Sequence, residues 1–454
     1  MNRHLAVSLL LAVTAASAPA QDAADWKVGL AAVKITPEVP VHMSGYGSRN
    51  KPYEKIESDL FAKALVLEDA KGKRVVIVTS DLLGFPAAVA EPICDRLREK
   101  LGLQREQILL NSSHTHTGPL ISLDLAPAKM PAGDAQRTIE YTKSLQDKVV
   151  EVVVKASAKL EPARLAHGAG VVNVVMNRRE FTPAGVILGV NSRGLADRSV
   201  PLLRIDGADG KLKAVLFGAA CHNTTLGAQN YEICGDFAGF SQTFVQDKHP
   251  GVQAMFMIGC GGDANPYPRT GMEFSRRHGA ELGTEVCRVL ETKLRPVRGP
   301  LQLAFGKADL PLQLPASREE AEKWAKEKGG WRAPVGQRVL ALLDKGEKPP
   351  ASYAAPFSVI QLGGDLTLVG LSGEVVVDYV GLLEKALGPT NLWVAGYCHD
   401  VYGYLPSAKV LAEGGYETRG IYSGGFGQFD PKAQDVVVEK VRALAEKAGR
   451  TLPK

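Results

Sequence analysis

The chain has 454 residues, with 54 lysines and arginines against 49 aspartates and glutamates, and a formal net charge of +5. The basic residues are scattered rather than grouped, which argues against nucleic acid as a partner. Six cysteines without a Cys-x-x-Cys pair are too sparse for a disulfide-framed fold, and they do not indicate a zinc ribbon.

The N-terminus predicts a signal peptide over residues 1–20. A short cationic start, MNRH, precedes the apolar run LAVSLLLAV, and Ala18-Pro19-Ala20 has the small residues of a cleavage site. The run is too short for a stable membrane anchor. We therefore expect a secreted or periplasmic protein, cleaved near Ala20, with 21–454 as one catalytic domain. No later stretch predicts a transmembrane helix, so a membrane could contribute only its surface or a substrate.

One plan recurs along the mature chain, in which a Gly/Asp turn joins two β-rich runs. It is seen at 64–81, 202–222 and 358–374, and each case is typical of a β-hairpin. Single β-rich runs end at His116, Asp263 and Asp400.

Apolar spacing near 3.6 predicts helices over 86–101, 138–160, 273–294 and 430–448, and a further one after Glu374. Strands followed by helices indicate an α/β protein with mixed sheets, hairpins and surrounding helices. Residues 315–355 are charged, helical and then proline-rich, and we interpret them as a surface insertion.

Chemically capable side chains follow the predicted strands. Ligands of α/β proteins bind outside the carboxyl ends of strands, so we expect these residues to converge on one site. They are Asp81, His114, His116, His222, Asp263, Glu374 and His399.

In NSSHTHTGP, alternation along an extended segment places His114 and His116 on one face. They are either metal ligands or a hydrogen-bonded pair at a strand end. His222 has the same two interpretations. Glu374 either stabilises a helix N-terminus or provides a ligand oxygen. Arg178 is either a surface charge or an anchor for a substrate oxygen.

The glycine-rich turn GCGGDANPYPR carries Asp263 and Asn265 but lacks the GK[ST] of a phosphate-binding loop. The chain also lacks GxSxG and HExxH. These absences argue against nucleotide binding and against an α/β-hydrolase nucleophile elbow.

Taken in order, several motifs resemble the neutral/alkaline non-lysosomal ceramidase family. They are AAVKITPEVPVHMSGYG, SSHTHTGP, NRR, CHNTT, GDFAGF, GCGGDANP, LSGE and HDVYGYLPS, and they span nearly the whole mature chain. The resemblance implies the α/β catalytic domain of that family. Because the chain ends at Lys454, we expect no C-terminal immunoglobulin-like domain.

The resemblance also implies one catalytic Zn²⁺ held by His114, His222, Glu374 and Tyr404. Tyr402 is the alternative to Tyr404, because the tyrosine register is open by two residues. Two imidazoles and two oxygen ligands leave a position for water or substrate, as catalytic zinc sites do. The family pattern assigns His116 and Arg178 to the reacting part of the substrate.

One residue departs from the family pattern. The family has a serine nucleophile in GDxSPN, whereas this chain reads Gly262-Asp263-Ala264-Asn265-Pro266. An amide cannot replace that nucleophile, so either the substrate differs or metal-activated water attacks. In the second case Asn265 could donate a hydrogen bond to the developing oxyanion.

We therefore predict a zinc-dependent hydrolase that cleaves an N-acyl (carboxamide) bond of a small or lipid-like substrate. Its catalytic residues are predicted as His116, Arg178, Asp263 and Asn265. Two alternatives stay open: a metal-dependent hydrolase of a different bond or of a polar, glycan-derived substrate, and a non-catalytic protein that retains the zinc site.

Overall fold

The computed structural model describes residues 25–125, 130–328, 330–420 and 427–453. The predicted signal peptide and its cleavage site lie outside these residues and stay predictions. Within the described parts of the chain, no helix is both long enough and apolar enough to cross a bilayer.

The secondary structure alternates hairpins with helices. In chain order the strands are β1 (Trp26–Lys34), β2 (Lys55–Ile56), β3 (Phe61–Asp69), β4 (Arg74–Ser80), β5 (Ile108–Ser112), β6 (Glu161–Val171), β7 (Val175–Thr182), β8 (Gly185–Asn191), β9 (Ser199–Gly207), β10 (Leu212–Ala219), β11 (Glu232–Ile233), β12 (Gln253–Ile258), β13 (Ala264–Pro266), β14 (Arg295–Val297), β15 (Leu301–Pro311), β16 (Ser352–Leu362), β17 (Leu366–Leu371), β18 (Glu374–Val375), β19 (Leu392–Ala395) and β20 (Tyr404–Leu405). The α-helices are α1 (Ala87–Leu101), α2 (Ala132–Ser157), α3 (Asp236–Lys248), α4 (Met272–Leu290), α5 (Arg318–Ala325), α6 (Arg332–Asp344), α7 (Asp378–Leu387), α8 (Ala408–Glu413) and α9 (Ala433–Lys447).

Two sheets form the centre of a four-layer arrangement. The larger sheet has the order β12-β10-β9-β6-β1-β3-β4-β5, and the smaller has the order β15-β16-β17-β19. Helices α1 to α4 cover the outer face of the larger sheet, while α7 and α9 cover the outer face of the smaller. The inner faces pack on each other.

This layering explains the unbroken apolar runs of the sequence. In β4, Val76 and Val78 face the helices, while Val75 and Ile77 face the second sheet. A strand buried on both faces has no polar side to alternate with. The predicted α/β class with mixed sheets and hairpins is confirmed.

The recurring plan of the sequence is a structural unit of hairpin, helix and parallel strand. Strand β4 pairs antiparallel with β3 and parallel with β5; β10 pairs likewise with β9 and β12, and β17 with β16 and β19. The helix of the second unit, α3, was not predicted. Its inner face contains the buried polar residues Ser241 and Gln242, which interrupt the apolar pattern.

The predicted insertion at 315–355 connects the paired strands β15 and β16. It contains α5 and α6, which pack through a small cluster that includes Trp324 and Val339. From Ser352 onward its residues belong to β16. The six cysteines are free thiols.

Candidate metal centre and catalytic site

The site residues come from the carboxyl ends of three units. His114 follows β5, His222 follows β10, and Glu374 begins β18, just after β17. The two-residue strands β18 and β20 pair in parallel with Glu374 opposite Tyr404. The loop after β5 turns sharply, since His114 has a φ of 61°, a conformation that non-glycine residues rarely adopt. The strand ends therefore deliver these four side chains to one place.

His114 and His222 are both oriented by backbone carbonyls. His114 Nδ1 lies 2.6 Å from the Leu83 carbonyl oxygen, and His222 Nδ1 lies 2.7 Å from that of Gly261. A carbonyl can only accept, so both Nδ1 atoms carry the proton. The Nε2 atoms are then left to face the interior of the site. Metal-binding histidines typically have their other ring nitrogen hydrogen-bonded in this way.

The two Nε2 atoms face a carboxylate. Glu374 Oε2 lies 3.2 Å from His114 Nε2 and 3.1 Å from His222 Nε2. Burial opposes ionisation of Glu374, but the two imidazoles outweigh it and hold the pKa of the carboxyl well below its usual range. Burial, Arg178 and His114 lower the pKa of His222 to about 3. Two imidazole nitrogens and a carboxylate oxygen thus converge, and this is a set of ligand atoms that can bind a cation.

The spacing of these atoms fits zinc. Ligand atoms about 2.1 Å from a tetrahedral zinc ion lie about 3.4 Å from one another. The two Nε2-to-Oε2 separations are close to this value, and the donor set of imidazole and carboxylate is one that zinc prefers. The residues present therefore fit the metal that the sequence resemblance implies.

His116 extends the same cluster. Its Nε2 lies 3.2 Å from His114 Nε2, and one nitrogen from each of His114, His116 and His222 can be chosen so that all three lie within 4.8 Å. Desolvation and the neighbouring imidazoles hold the pKa of His116 well below its usual range. Among the described residues its Nδ1 has no hydrogen-bond partner. His116 Nδ1 is buried against Gly45, so the ring joins the cluster through Nε2.

Arg178 connects the candidate metal-ligand group, which consists of His114, His222, Glu374 and Tyr404, to the glycine-rich turn. Its guanidinium donates to Tyr404 Oη at 2.7 Å, to Asn265 Oδ1 at 3.2 Å and to Glu417 Oε1 at 2.8 Å. Glu417 also accepts from Arg179 at 2.7 Å, so one buried carboxylate serves two buried arginines. The predicted surface alternative for Arg178 is wrong, because the side chain is buried.

Asn265 lies in β13, which pairs with β7, the strand that carries Arg178. Its Oδ1 accepts from Arg178 and from Thr224 Oγ1, the latter at 3.0 Å. Because two donors hold the oxygen, the amide N–H end is the part of the side chain that can donate to a ligand.

Asp263 supports the frame of the site. Its carboxylate accepts from the Val377 N–H at 2.8 Å and from Asn177 Nδ2 at 3.4 Å, which ties the start of α7 to β7. Burial raises the pKa of Asp263 to about 7. Through these contacts Asp263 helps to position the neighbouring residues Glu374 and Arg178.

The turn that contains Asp263 requires glycine for close approach. A Cβ at Gly261 would lie 2.6 Å from the Cys221 backbone nitrogen, and one at Gly262 would lie 2.7 Å from the Glu374 backbone carbonyl oxygen. The glycines of this turn therefore allow it to pack against the two strand ends that carry His222 and Glu374.

The structure separates the two candidate tyrosines. Tyr404 Oη lies 3.5 Å from His222 Nε2, whereas Tyr402 packs in the core against Tyr353 and Phe429. Tyr402 Oη donates to the Ser372 carbonyl instead. Of these two tyrosines, Tyr404 is therefore the one that lies beside His222.

The tyrosine pair provides a matched test. Tyr404→Phe should weaken zinc binding at least about tenfold, since it removes an oxygen beside His222 and the acceptor of Arg178. Tyr402→Phe should leave zinc affinity unchanged. Competition with a metal chelator measures both. Equal affinity in the two variants would remove Tyr404 from the metal site.

Two strand-end residues do not join the site. Asp81 accepts from the Phe61 N–H and from Gln242. His399 lies between Arg105 and Ser358, away from the metal-ligand group. Both stabilise contacts between layers.

Two residues of the site were missed by the sequence analysis. Tyr397 packs its ring 4.4 Å from that of His114, and Glu417 holds both arginines. Tyr397 could have been found from the sequence, because it lies in GYCHD, which ends a β-rich run. Glu417 lies in an irregular segment without a comparable pattern.

Comparison with known proteins assigns the family. The protein-family model described as "Neutral/alkaline non-lysosomal ceramidase, N-terminal" matches residues 26–260. The chain belongs to the neutral/alkaline non-lysosomal ceramidase family. Neutral ceramidase from Pseudomonas aeruginosa is 29% identical over 250 residues, which cover 53% of this chain and 37% of that protein. Neutral ceramidase A from Dictyostelium discoideum is 24% identical over 245 residues, covering 51% and 33%.

The match to solved ceramidases concerns the fold. The crystal structure of the Pseudomonas aeruginosa neutral ceramidase superposes with a TM-score of 0.72 at 20% identity, covering 95% of this chain and 77% of that one. In the curated sequences the aligned region of the chain spans about a third of the relatives' length.

Proposed function

We propose that the protein is a zinc-dependent hydrolase of the ceramidase family that cleaves the N-acyl bond of a lipid-like amide. Family membership supports the amide-hydrolase class. The observation that carries the metal is the convergence of two imidazole lone pairs on the Glu374 carboxylate at 3.1 and 3.2 Å. Two imidazole nitrogens and a carboxylate oxygen are ligands that zinc prefers, and this supports a bound cation.

The residues of the chain divide the chemistry among them. His114, His222, Glu374 and Tyr404 would hold the ion, which when bound polarises a carbonyl and makes water a better nucleophile. His116 offers a ring nitrogen that can accept or return a proton beside the scissile bond. Arg178 donates hydrogen bonds to Tyr404 and Asn265 and so fixes the positions of both side chains. Asp263 holds the segment after Glu374.

Asn265 takes the position at which the family pattern has serine. We propose that its amide N–H donates to the oxyanion that develops on the acyl carbon, while Arg178 and Thr224 fix its oxygen. No covalent acyl intermediate can form on this side chain, so the acyl group is transferred directly to water.

Asn265→Ala should lower kcat roughly 10²- to 10³-fold with little change in KM, because a donor to the oxyanion acts mainly in the transition state. Thr224→Val removes a donor to the same amide oxygen but keeps the amide, and it should cost less than about tenfold. Steady-state kinetics on an N-acyl substrate compare them. Equal losses would make Asn265 a structural residue.

The function itself is tested by metal content and turnover. Purified protein should contain about one zinc ion per chain and hydrolyse at least one of a panel of N-acyl amides of differing chain length. Zinc without turnover on amides, but with turnover on esters or glycan-derived amides, would favour the alternative hydrolase. Zinc without any turnover would favour a binding protein. Asn265→Ser then shows whether ceramidase chemistry is latent.

A further inference from the structure

Exposed apolar side chains concentrate on one hairpin beside the site. Of the large hydrophobic residues that are well exposed in the described chain, five fall between residues 181 and 195. They are Phe181 (59% exposed), Ile187 (49%), Leu188 (49%), Val190 (45%) and Leu195 (59%). The first four lie on the β7–β8 hairpin. Such a concentration marks an interaction surface rather than scattered exposure.

The outer part of the hairpin lacks charge. From Phe181 to Ser192 the sequence reads FTPAGVILGVNS, without a lysine, arginine, aspartate or glutamate. Charged residues make up 23% of the chain, so an exposed stretch of this length would ordinarily contain two or three. Exposed surface that avoids charge indicates a partner that is itself apolar.

Both faces of the hairpin are exposed. Residues that pair across antiparallel strands share a face, so Phe181 and Val186 lie on the face of Leu188, and Ile187 lies on the opposite face with Glu180. The hairpin therefore projects from the body with apolar side chains on two sides. A partner protein that docks on one face would leave the other in water, whereas a lipid surface surrounds both.

The base of the hairpin borders the candidate metal centre. Arg178 belongs to β7, and Phe181 is three residues farther along the strand, roughly 10 Å away. Exposed Arg193 and Arg198 follow the hairpin at the same end. Arginines at this level match the phosphate groups of a bilayer surface.

We propose that the β7–β8 hairpin is the element by which the protein docks on a lipid surface, placing the metal centre beside that surface. Its link to catalysis rests on the proposed cleavage of a lipid-like amide; the docking itself does not. The turn suits this role, because Thr182 Oγ1 donates to the Gly185 carbonyl and accepts from the Ala184 N–H. Its polar groups are partly satisfied before contact.

The depth of docking is limited by the sheet edge. The small sheet has the order β13-β7-β8, so among the residues that the structure describes β8 has one side without a strand partner. Unpaired backbone groups do not enter hydrocarbon. The hairpin therefore stays at the level of the headgroups and the first methylene groups.

Vesicle partition tests the docking. Wild type should co-sediment with phosphatidylcholine vesicles, and the double variant Phe181→Ser/Ile187→Ser should partition at least about tenfold less. Ile56→Ser is the matched control, since Ile56 is 43% exposed in β2, outside the hairpin, and it should bind like wild type. All three substituted residues are exposed, and circular dichroism checks that each variant is folded.

The outcomes separate docking from function. Hydrolysis of a water-soluble short-chain amide should be unchanged in the double variant, while hydrolysis of a vesicle-embedded amide should fall with partition. Absence of all hydrolysis by wild type would remove the proposed function and leave the partition result standing. Wild-type partition that is absent, or equal in the double variant, would overturn the docking. So would a dimer in sedimentation analysis that the double variant converts to a monomer without any vesicle binding.

Discussion

Replacing Glu374 with glutamine should empty the metal centre and lower kcat/KM by more than about 100-fold. The amide has nearly the shape of the carboxylate but no charge, and its N–H group can donate to one of the two imidazole lone pairs. A hydrogen bond then takes the place of the cation. The variant should fold without zinc, so elemental analysis of purified protein measures the effect directly.

Glu384→Gln is the control for this substitution. Glu384 lies on the exposed side of α7, and its replacement makes the same change of charge outside the site. It should retain zinc and activity. Full zinc content in Glu374→Gln would show that the carboxylate is not a ligand, and the metal set would then centre on His114, His116 and His222.

Glu417→Gln should destabilise the fold by about 3–5 kcal/mol, because breaking a buried ion pair leaves an uncompensated charge. Glu417 is 1% exposed, and its two oxygens accept from Arg178 and Arg179 at 2.8 and 2.7 Å. Glutamine can accept at one oxygen only, and its amide N–H group then faces an arginine. Urea denaturation, with the protein loaded with zinc throughout, measures the loss.

Glu413→Gln separates this effect from a general loss of acidic charge. Glu413 accepts from Arg179 at 3.1 Å, but its side chain is 23% exposed, and a partly solvated bridge contributes about 1 kcal/mol or less. A similar loss in both variants would mean that the buried position of Glu417 adds nothing.

The sequence predicted where the site lies better than it predicted which residues line it. His114, His222 and Glu374 could be found because each ends an apolar run, and strand ends are a local property of the pattern. Asp81 and His399 have the same local signature, yet their side chains contact Gln242 and Ser358. Which way a side chain points from a strand end depends on the layer it packs against, and a single sequence does not contain that information.

Glu417 shows the other limit. It lies in a short 3₁₀ segment, Tyr416–Thr418, without apolar periodicity, and its partners are more than two hundred residues earlier in the chain. Its role depends wholly on tertiary contact. The helix α3 was missed for a related reason, since its buried Gln242 serves Asp81 rather than the apolar core. The tyrosine register, open by two residues in the sequence, depends on the pairing of β18 with β20.

The three hairpin–helix–strand units each deliver part of the metal-ligand group, and this has a consequence for how the chain holds together. An ion bound by His114, His222 and Glu374 would join points that are far apart in sequence, His222 and Glu374 being 152 residues apart. It would close two long loops, as a pair of cross-links does, and so restrict the unfolded chain. The ion would then tie the two halves of the molecule into one cooperative unit, and the midpoint of unfolding would rise with the free zinc concentration.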